Sequence, residues 1–166
     1  ESIKVQGAIR NMGRTLFYKH KLKIFLRNIE TGDKSMDYTE KAKEMFSSDI
    51  YAVETTGVRI EEVRPDYCRC SLMIDGRHYN VNGNVMGGAI FTIADYAFGV
   101  AANIENPSAV SLTSTINFIR PTKGPVIYAE AKCIKNGRSI VFYDITVTDS
   151  EGSVIASVVA NGFRKQ

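Results

Sequence analysis

The spacing of apolar and polar residues predicts, after residue 36, one short helix and two strands. Residues 38–50 gather their apolar side chains on one side of a helix, with Thr39 as the predicted N-cap. Residues 58–63 and 67–74 alternate in the manner of half-buried strands, and Pro65-Asp66 marks a turn between them. A polar loop rich in Asn and Gly is expected over 75–85.

The segment 87–103 predicts a longer helix that is buried on most of its sides. It is apolar around nearly its whole circumference and long enough for four helical turns. Several of its residues are Ala or Gly, so a neighbouring surface can approach closely.

Four strand-like segments follow this helix, at 110–119, 126–135, 139–148 and 154–163. Asn136-Gly137 and the group at 150–152 are hairpin signals, so these strands are predicted to form an antiparallel meander. The inner face of such a sheet needs an apolar partner, and only the second helix is apolar enough. The predicted fold class is therefore α+β, with a long curved antiparallel sheet wrapped around one central helix.

Charge separates residues 1–35 from the main body. Residues 1–35 carry eight Lys or Arg and three Asp or Glu, a net charge of +5, whereas 36–166 carry thirteen and fifteen, a net charge of −2. The basic segment has three possible interpretations: an amphipathic helix at a membrane surface, an extension packed on the body or a second subunit, or an added leader. The last two are preferred, and Met36 is a candidate natural start. Residues 36–166 are predicted to form the main domain.

Composition narrows the classes of function. The mildly acidic body argues against nucleic-acid binding, and neither a signal peptide nor a membrane span is found. Cys68 and Cys70 lie on one strand face and cannot easily bridge, so the cysteines are expected to be reduced in a cytoplasmic protein. With only two histidines in the chain, no metal site is predicted.

Asp95 is the candidate catalytic residue because it is the only charged residue of the second helix. Asp is a poor residue for a helix interior, and burying a lone carboxylate costs free energy. The alternative is an Asp on a helix face that reaches solvent or bonds to a backbone amide. The position of Asp95 in the middle of an apolar helix favours a catalytic role over this alternative.

Gly87 and Gly88 stand where that helix begins. The first amides of a helix have no partner within it, and two glycines let a carbonyl approach them, which would form an oxyanion hole. Asp95 lies eight residues later, about 12 Å along the axis. The two groups can act on one acyl group only if they come from different chains, so a two-fold dimer with two shared sites is predicted.

Further candidates flank these residues. Asn80 in the preceding loop could orient a water or the acyl carbonyl, although turns also favour Asn. Ser111, Thr113 and Thr115 alternate along one strand and are expected to face the same way, so that one of them lines the site. Arg120 and the Gly137-Arg138 pair place cations at strand ends, where a nucleotide phosphate could bind.

These residues together resemble the signature of hotdog-fold thioesterases of the phenylacetate-degradation type. The resemblance rests on Asn80-x-x-Gly83-Asn-Val-Met86-Gly87-Gly88 followed by a helix that reaches Ala-Asp95, and it covers about residues 40–164. It implies hydrolysis of acyl-CoA thioesters by a homodimer or a dimer of dimers, with no metal and no cofactor beyond the CoA of the substrate.

The resemblance also implies residue roles. Asp95 would act as general base or nucleophile, and the Gly87 amide would polarise the thioester carbonyl. Asn80 would place water or the acyl group, and Ser111 would support the hydrolytic step. Met86 stands where the family commonly has His, and a contact of its flexible side chain with substrate is possible.

Two other functions remain open at this stage. One is a non-catalytic acyl-CoA sensor on the same fold, for which Asp95 would be unnecessary. The other is a hotdog dehydratase or hydratase, which would need a His that the central helix lacks.

Overall fold

The computed structural model describes residues 37–105 and 109–165, so the predictions for residues 1–35 lie outside the described residues. Two α-helices and six strands make up this part of the chain. They are α1 (Tyr38–Met45), β1 (Val58–Arg64), β2 (Tyr67–Met73), α2 (Gly87–Asn103), β3 (Ala109–Phe118), β4 (Val126–Asn136), β5 (Ile140–Asp149) and β6 (Val154–Arg164). A π-helical turn (Tyr51–Thr56) precedes β1, and a short 3-10 turn (Gly76–His78) follows β2.

The six strands form one antiparallel sheet in the order β1-β2-β4-β5-β6-β3. The predicted meander is correct for β4, β5 and β6, which pair as consecutive hairpins. It is wrong for β3, which crosses over the sheet and pairs with β6. Strand β4 pairs with β2 and buries apolar side chains on its inner face, as a central strand does. Strand β3 is largely exposed, which suits a strand at the edge of the sheet.

Helix α2 packs against the inner face of the sheet, as predicted. Nine of its seventeen residues are buried, and the helix contacts all six strands. Phe98 packs edge-on to Tyr143 of β5, with ring centroids 5.3 Å apart. Gly162 of β6 permits this close approach, because a Cβ there would lie 2.9 Å from the Phe98 ring.

Helix α1 has its N-cap two residues before the predicted one. The cap is Asp37, whose carboxylate accepts from the amides of Thr39 and Glu40. Thr39 is therefore not the cap, and its hydroxyl accepts from the amide of Val63 and so ties α1 to β1. The helix ends at Met45, short of the predicted residue 50, and the π-helical turn was not predicted.

The cysteines are free thiols, as expected. Cys68 and Cys70 are both fully buried on the inner face of β2, with their sulfur atoms 3.5 Å apart. The hydrogen bond with the Cys68 thiol and burial raise the pKa of Cys70, so the thiolate is disfavoured.

Candidate active site

One side of α2 faces away from the sheet and is open in the single chain. This open stripe carries residues spaced three or four apart: Gly88, Thr92, Asp95, Gly99 and Asn103. Asp95 is therefore exposed in the single chain, in line with the alternative of an Asp on a helix face that reaches solvent. The physical reason is that small and polar residues, rather than large apolar ones, follow the helical repeat on this side.

Asp95 is nevertheless in a distinctive environment. Surrounding protein partly removes its carboxylate from water and raises its pKa, the hydroxyl of Ser111 lowers it by hydrogen bonding, and the negative charge of Asp49 raises it. The balance leaves the pKa above its ordinary value. Ser111 donates to Asp95 Oδ1 across 3.4 Å. A carboxylate shifted in this way is closer to the range of a general base.

A β-bulge brings Ser111 to Asp95. The register of β3 against β6 pairs Ser111 with Gly162 and then Thr113 with Asn161, so Leu112 is the extra residue. Thr113 and Thr115 consequently face the outer side of the sheet, opposite to Ser111. The prediction that all three face one way was wrong, because the bulge reverses the alternation.

The end of α2 fixes the position of β3 relative to the helix. The side chain of Asn103 donates to the carbonyl of Ala109 and accepts from its amide, across 3.1 and 2.8 Å. This pair of bonds sets where β3 starts and hence which residue lies beside Asp95.

The start of α2 presents free amides. Met86 is the N-cap, its carbonyl accepts from Ala89 and Ile90, and its side chain makes no capping hydrogen bond. Within the described residues, no acceptor takes a hydrogen bond from the amide of Gly87 or Gly88. A Cβ on Gly87 would lie 2.9 Å from the ring of Phe118, whereas Gly88 faces open space. The two amides can therefore bind an external carbonyl or oxyanion.

The side chain of Asn80 stabilises the loop that precedes these amides. Its side-chain oxygen accepts from the amides of Asn82 and Asn84, across 2.9 and 3.1 Å. His78 anchors the base of this loop, since its buried ring donates to the carbonyl of Thr56 and its own carbonyl accepts from Met86. Asn80 thus holds the loop with its oxygen, and only its amide nitrogen is available to a substrate.

Gly87 and Asp95 line different pockets of the chain. The pocket at the helix start has a volume of about 470 Å³, and it is lined by Asn84, Val85, Gly87, Ile90, Phe118, Ile119, Arg120, Pro121 and Thr122. The pocket beside Asp95 has a volume of about 400 Å³, and its lining is Asp49, Tyr51, Ala52, Gly88, Phe91, Thr92, Asp95 and Tyr96. One chain therefore brings Gly87 and Arg120 together but keeps Asp95 apart from them.

The cations predicted to bind a nucleotide phosphate lie at opposite ends of the sheet. Arg120 follows β3, near the start of β4, whereas Gly137 and Arg138 form the turn between β4 and β5 at the opposite end of the sheet. Gly137 is fixed by sterics, since a Cβ would lie 2.5 Å from the carbonyl oxygen of Ile140. Met86 is more than half exposed beside Gly87.

Sequence reasoning missed most of the Asp95 pocket. Phe91 and Thr92 precede Asp95 by four and three residues, so the helical repeat could have indicated them. Asp49 and Tyr51 lie more than forty residues away along the chain, and no local pattern marks them. Within the described ranges, no group of three His, Cys, Asp or Glu residues is arranged to hold a metal ion.

Comparison with known proteins identifies the family. Residues 82–156, which contain both Gly87 and Asp95, match the model of the thioesterase superfamily. A protein from Deinococcus radiodurans that carries an esterase name is 31% identical over 115 residues, which cover 68% of this chain and 78% of that protein. The chain belongs to the thioesterase superfamily. This membership confirms the predicted family and its enzyme class, thioester hydrolases.

One further relative supports the same family by its sequence and the fold by its solved structure. The acyl-coenzyme A thioesterase PaaI of Escherichia coli is 26% identical over 118 residues, covering 70% of this chain and 84% of that protein. The solved structure of E. coli PaaI, from the phenylacetic acid degradation operon, aligns with a TM-score of 0.71 at 23% identity. That alignment covers 78% of this chain and 96% of PaaI, and the predicted hotdog fold is thereby confirmed. In the described part of the chain, no helix is both long and apolar enough to cross a membrane.

Proposed function

We propose that this protein hydrolyses acyl-CoA thioesters to a free acid and CoA, with Asp95 as the base or nucleophile. The observation that carries the proposal is the pairing of two features in this superfamily member. One is a helix start with two unpartnered glycine amides, and the other is a carboxylate with a raised pKa further along the same helix.

Each feature has a role in thioester hydrolysis. An amide of the helix start would stabilise the oxyanion that forms when the thioester carbonyl is attacked. Asp95 would take a proton from the attacking water, or would itself attack the carbonyl carbon and form an anhydride that water then cleaves. In either route the carbon–sulfur bond breaks, and the CoA thiolate leaves and takes a proton. The reaction requires no further cofactor.

The separation of the two pockets supports a site shared between subunits. Strand β3 pairs only with β6 within the described residues, so its other edge is available to a second copy. A two-fold axis would pair two β3 edges antiparallel. Gly87 of the partner subunit would then approach Asp95, and Arg120 would approach the Arg138 end of the neighbouring sheet. Those cations would bind the CoA phosphates, and Met86 and Gly88 would contact the substrate beside them.

The test is CoA release across a panel of acyl-CoAs, with Asp95→Asn measured beside the wild type. The variant should lower kcat by about 10²- to 10⁴-fold, because Asn cannot accept the proton or attack the thioester. Its affinity for CoA and its thermal unfolding should stay close to wild type. Unchanged turnover in Asp95→Asn would rule out this mechanism.

Wild-type protein that binds acyl-CoA tightly but releases no CoA would instead support a sensor on the same fold. In that case Met86, in place of the family's common His, would be the first position to exchange.

A further inference from the structure

The pocket beside Asp95 has a second carboxylate that the proposed mechanism does not use. Asp49 lines this pocket together with three aromatic residues, Tyr51, Phe91 and Tyr96. The aromatic side chains suit an uncharged acyl group. The carboxylate beside them makes the binding free energy of a ligand depend on the charge of that ligand.

The backbone of Asp49 is held in place. Its amide donates to the carbonyl of Phe46, and its carbonyl accepts from Val53 within the π-helical turn, across 3.1 and 2.9 Å. That turn continues to Gly57, which has a φ of +91° and whose amide donates to Ala52. The position of Asp49 at the pocket is therefore set by the fold.

The carboxylate of Asp49 has no side-chain hydrogen bond or ion pair among residues 37–105 and 109–165. Arg59 is a cation that acts on this pocket, since it lowers the pKa of Tyr96. Its guanidinium donates to the carbonyls of Val53 and Val58 and does not pair with Asp49. Among the described residues, no cation pairs with the negative charge of Asp49.

The field of this charge reaches both sides of the pocket. Asp49 contributes to the raised pKa of Asp95 and, after burial and Cys70, to that of Tyr96. A ligand placed between these side chains would experience the same field.

We propose that Asp49 determines the charge selectivity of the acyl pocket, so that neutral acyl groups are favoured over acyl groups that end in a carboxylate. This inference rests on the proposed function, because it takes the pocket beside Asp95 as the place of the acyl group. A third negative charge, on the acyl group, would be repelled by both Asp49 and Asp95. The repulsion from Asp49 is the part that the substitution Asp49→Asn removes.

The experiment compares hexanoyl-CoA with adipoyl-CoA, which have equal chain lengths and differ in the terminal carboxylate. Asp49→Asn should raise kcat/KM for adipoyl-CoA relative to hexanoyl-CoA by about tenfold. Any effect of the substitution on the pKa of Asp95 acts on both substrates and cancels in this ratio. Glu54→Gln is the matched control, because Glu54 is an exposed carboxylate of the π-helical turn that begins two residues after Asp49, and it does not line the pocket. Its ratio should equal that of the wild type.

A binding measurement separates this inference from the proposed function. Thioether analogues of the two substrates cannot be hydrolysed, so their ratio of Kd values in wild type, Asp49→Asn and Glu54→Gln reports selectivity without turnover. A shift in the Kd ratio confined to Asp49→Asn would support the inference even if no thioester were hydrolysed. An unchanged Kd ratio in Asp49→Asn, or the same shift in Glu54→Gln, would overturn it.

Discussion

Asp95 is subject to influences that act on its pKa in opposite directions. Partial burial raises the pKa most, the hydroxyl of Ser111 lowers it, and the charge of Asp49 raises it. An Asp side chain in water has a pKa of about 3.9. In the proposed mechanism the active form of Asp95 is the ionised carboxylate, so activity should be lost as the pH falls through the raised pKa of Asp95.

The pH dependence of the two neighbouring variants should therefore differ in sign. Ser111→Ala removes the hydrogen bond that favours the carboxylate, so the acidic limb of kcat/KM should move to higher pH. Asp49→Asn removes a negative neighbour, so the limb should move to lower pH. The profile should be recorded from about pH 4 to pH 8 with a neutral acyl-CoA. Shifts of the same sign in both variants would contradict this account of Asp95.

For single residues, the sequence indicated the candidate catalytic side chain better than it indicated the exposure and the neighbours of that side chain. Asp95 could be selected because it is the one charged residue of an apolar segment. Its exposure could not be predicted, since only the packed structure shows which side of α2 lacks a partner. Asp49 could not be predicted at all, because its place at the pocket depends on how the π-helical turn packs against α2.

At the scale of elements, contact between α2 and the sheet depends on the absence of side chains at particular glycines. Gly162 of β6 lies under the Phe98 ring, and a Cβ there would also lie 3.0 Å from the carbonyl oxygen of Val110. Gly99, one residue after Phe98, faces open space, and a Cβ at that position would have no neighbouring atom within 4 Å. These two glycines make a matched pair.

Gly162→Ala should destabilise the protein by about 1–3 kcal/mol, because the methyl group must displace either a packed ring or the β3 backbone. Gly99→Ala should be neutral or stabilise by up to about 1 kcal/mol, since Ala is the better residue in a helix. Urea unfolding, compared by midpoint at constant m-value, measures both. Equal destabilisation by the two substitutions would show that close packing at Gly162 is not the cause.

A matched pair of substitutions at the start of α2 likewise tests the proposed oxyanion-binding role of the Gly87 amide. Gly87→Pro removes the amide hydrogen at a helix position where Pro is well tolerated, whereas Gly87→Ala keeps it. Both add a Cβ against Phe118, so the steric effect of that atom is shared. The Pro variant should lose about 10²- to 10³-fold more kcat than the Ala variant. Equal losses in steady-state CoA release would assign the effect to the Phe118 contact instead.

The pattern of apolar and polar residues predicted most of the helices and strands, but it did not predict the order of the strands in the sheet. Alternation and turn residues located β1, β2 and β4–β6 to within a residue or two, and the continuous apolar run located α2. The place of β3 beside β6 depends on a crossover between distant strands. The bulge at Leu112 shifts the pairing of β3 with β6 and so changes which side chains face α2. Neither leaves a local signal in the sequence.

At the scale of the whole molecule, the arrangement of a single chain is incomplete for the proposed reaction. Gly87 with Arg120 and Asp95 with Ser111 lie at separate pockets, and Asp95 follows Gly87 by eight helical residues. The edge strand β3, which would join two chains, also carries exposed apolar side chains, among them Leu112 and Phe118. Two-fold pairing would cover this edge and complete two sites at once.

Mixed dimers test whether the sites are shared. A dimer of one Asp95→Asn chain and one Gly87→Pro chain would have one site with both defects and one site with neither. If the chains mix at random in equal amounts, half of the dimers are mixed, and one site in two of these is intact. Activity should therefore recover to about a quarter of the wild-type value, although each variant alone is inactive.

Differently tagged chains, mixed after partial unfolding and purified through both tags, would isolate the mixed species. If such purified mixed dimers stay inactive while wild-type chains treated in the same way regain full activity, Gly87 and Asp95 do not act together across the two-fold axis.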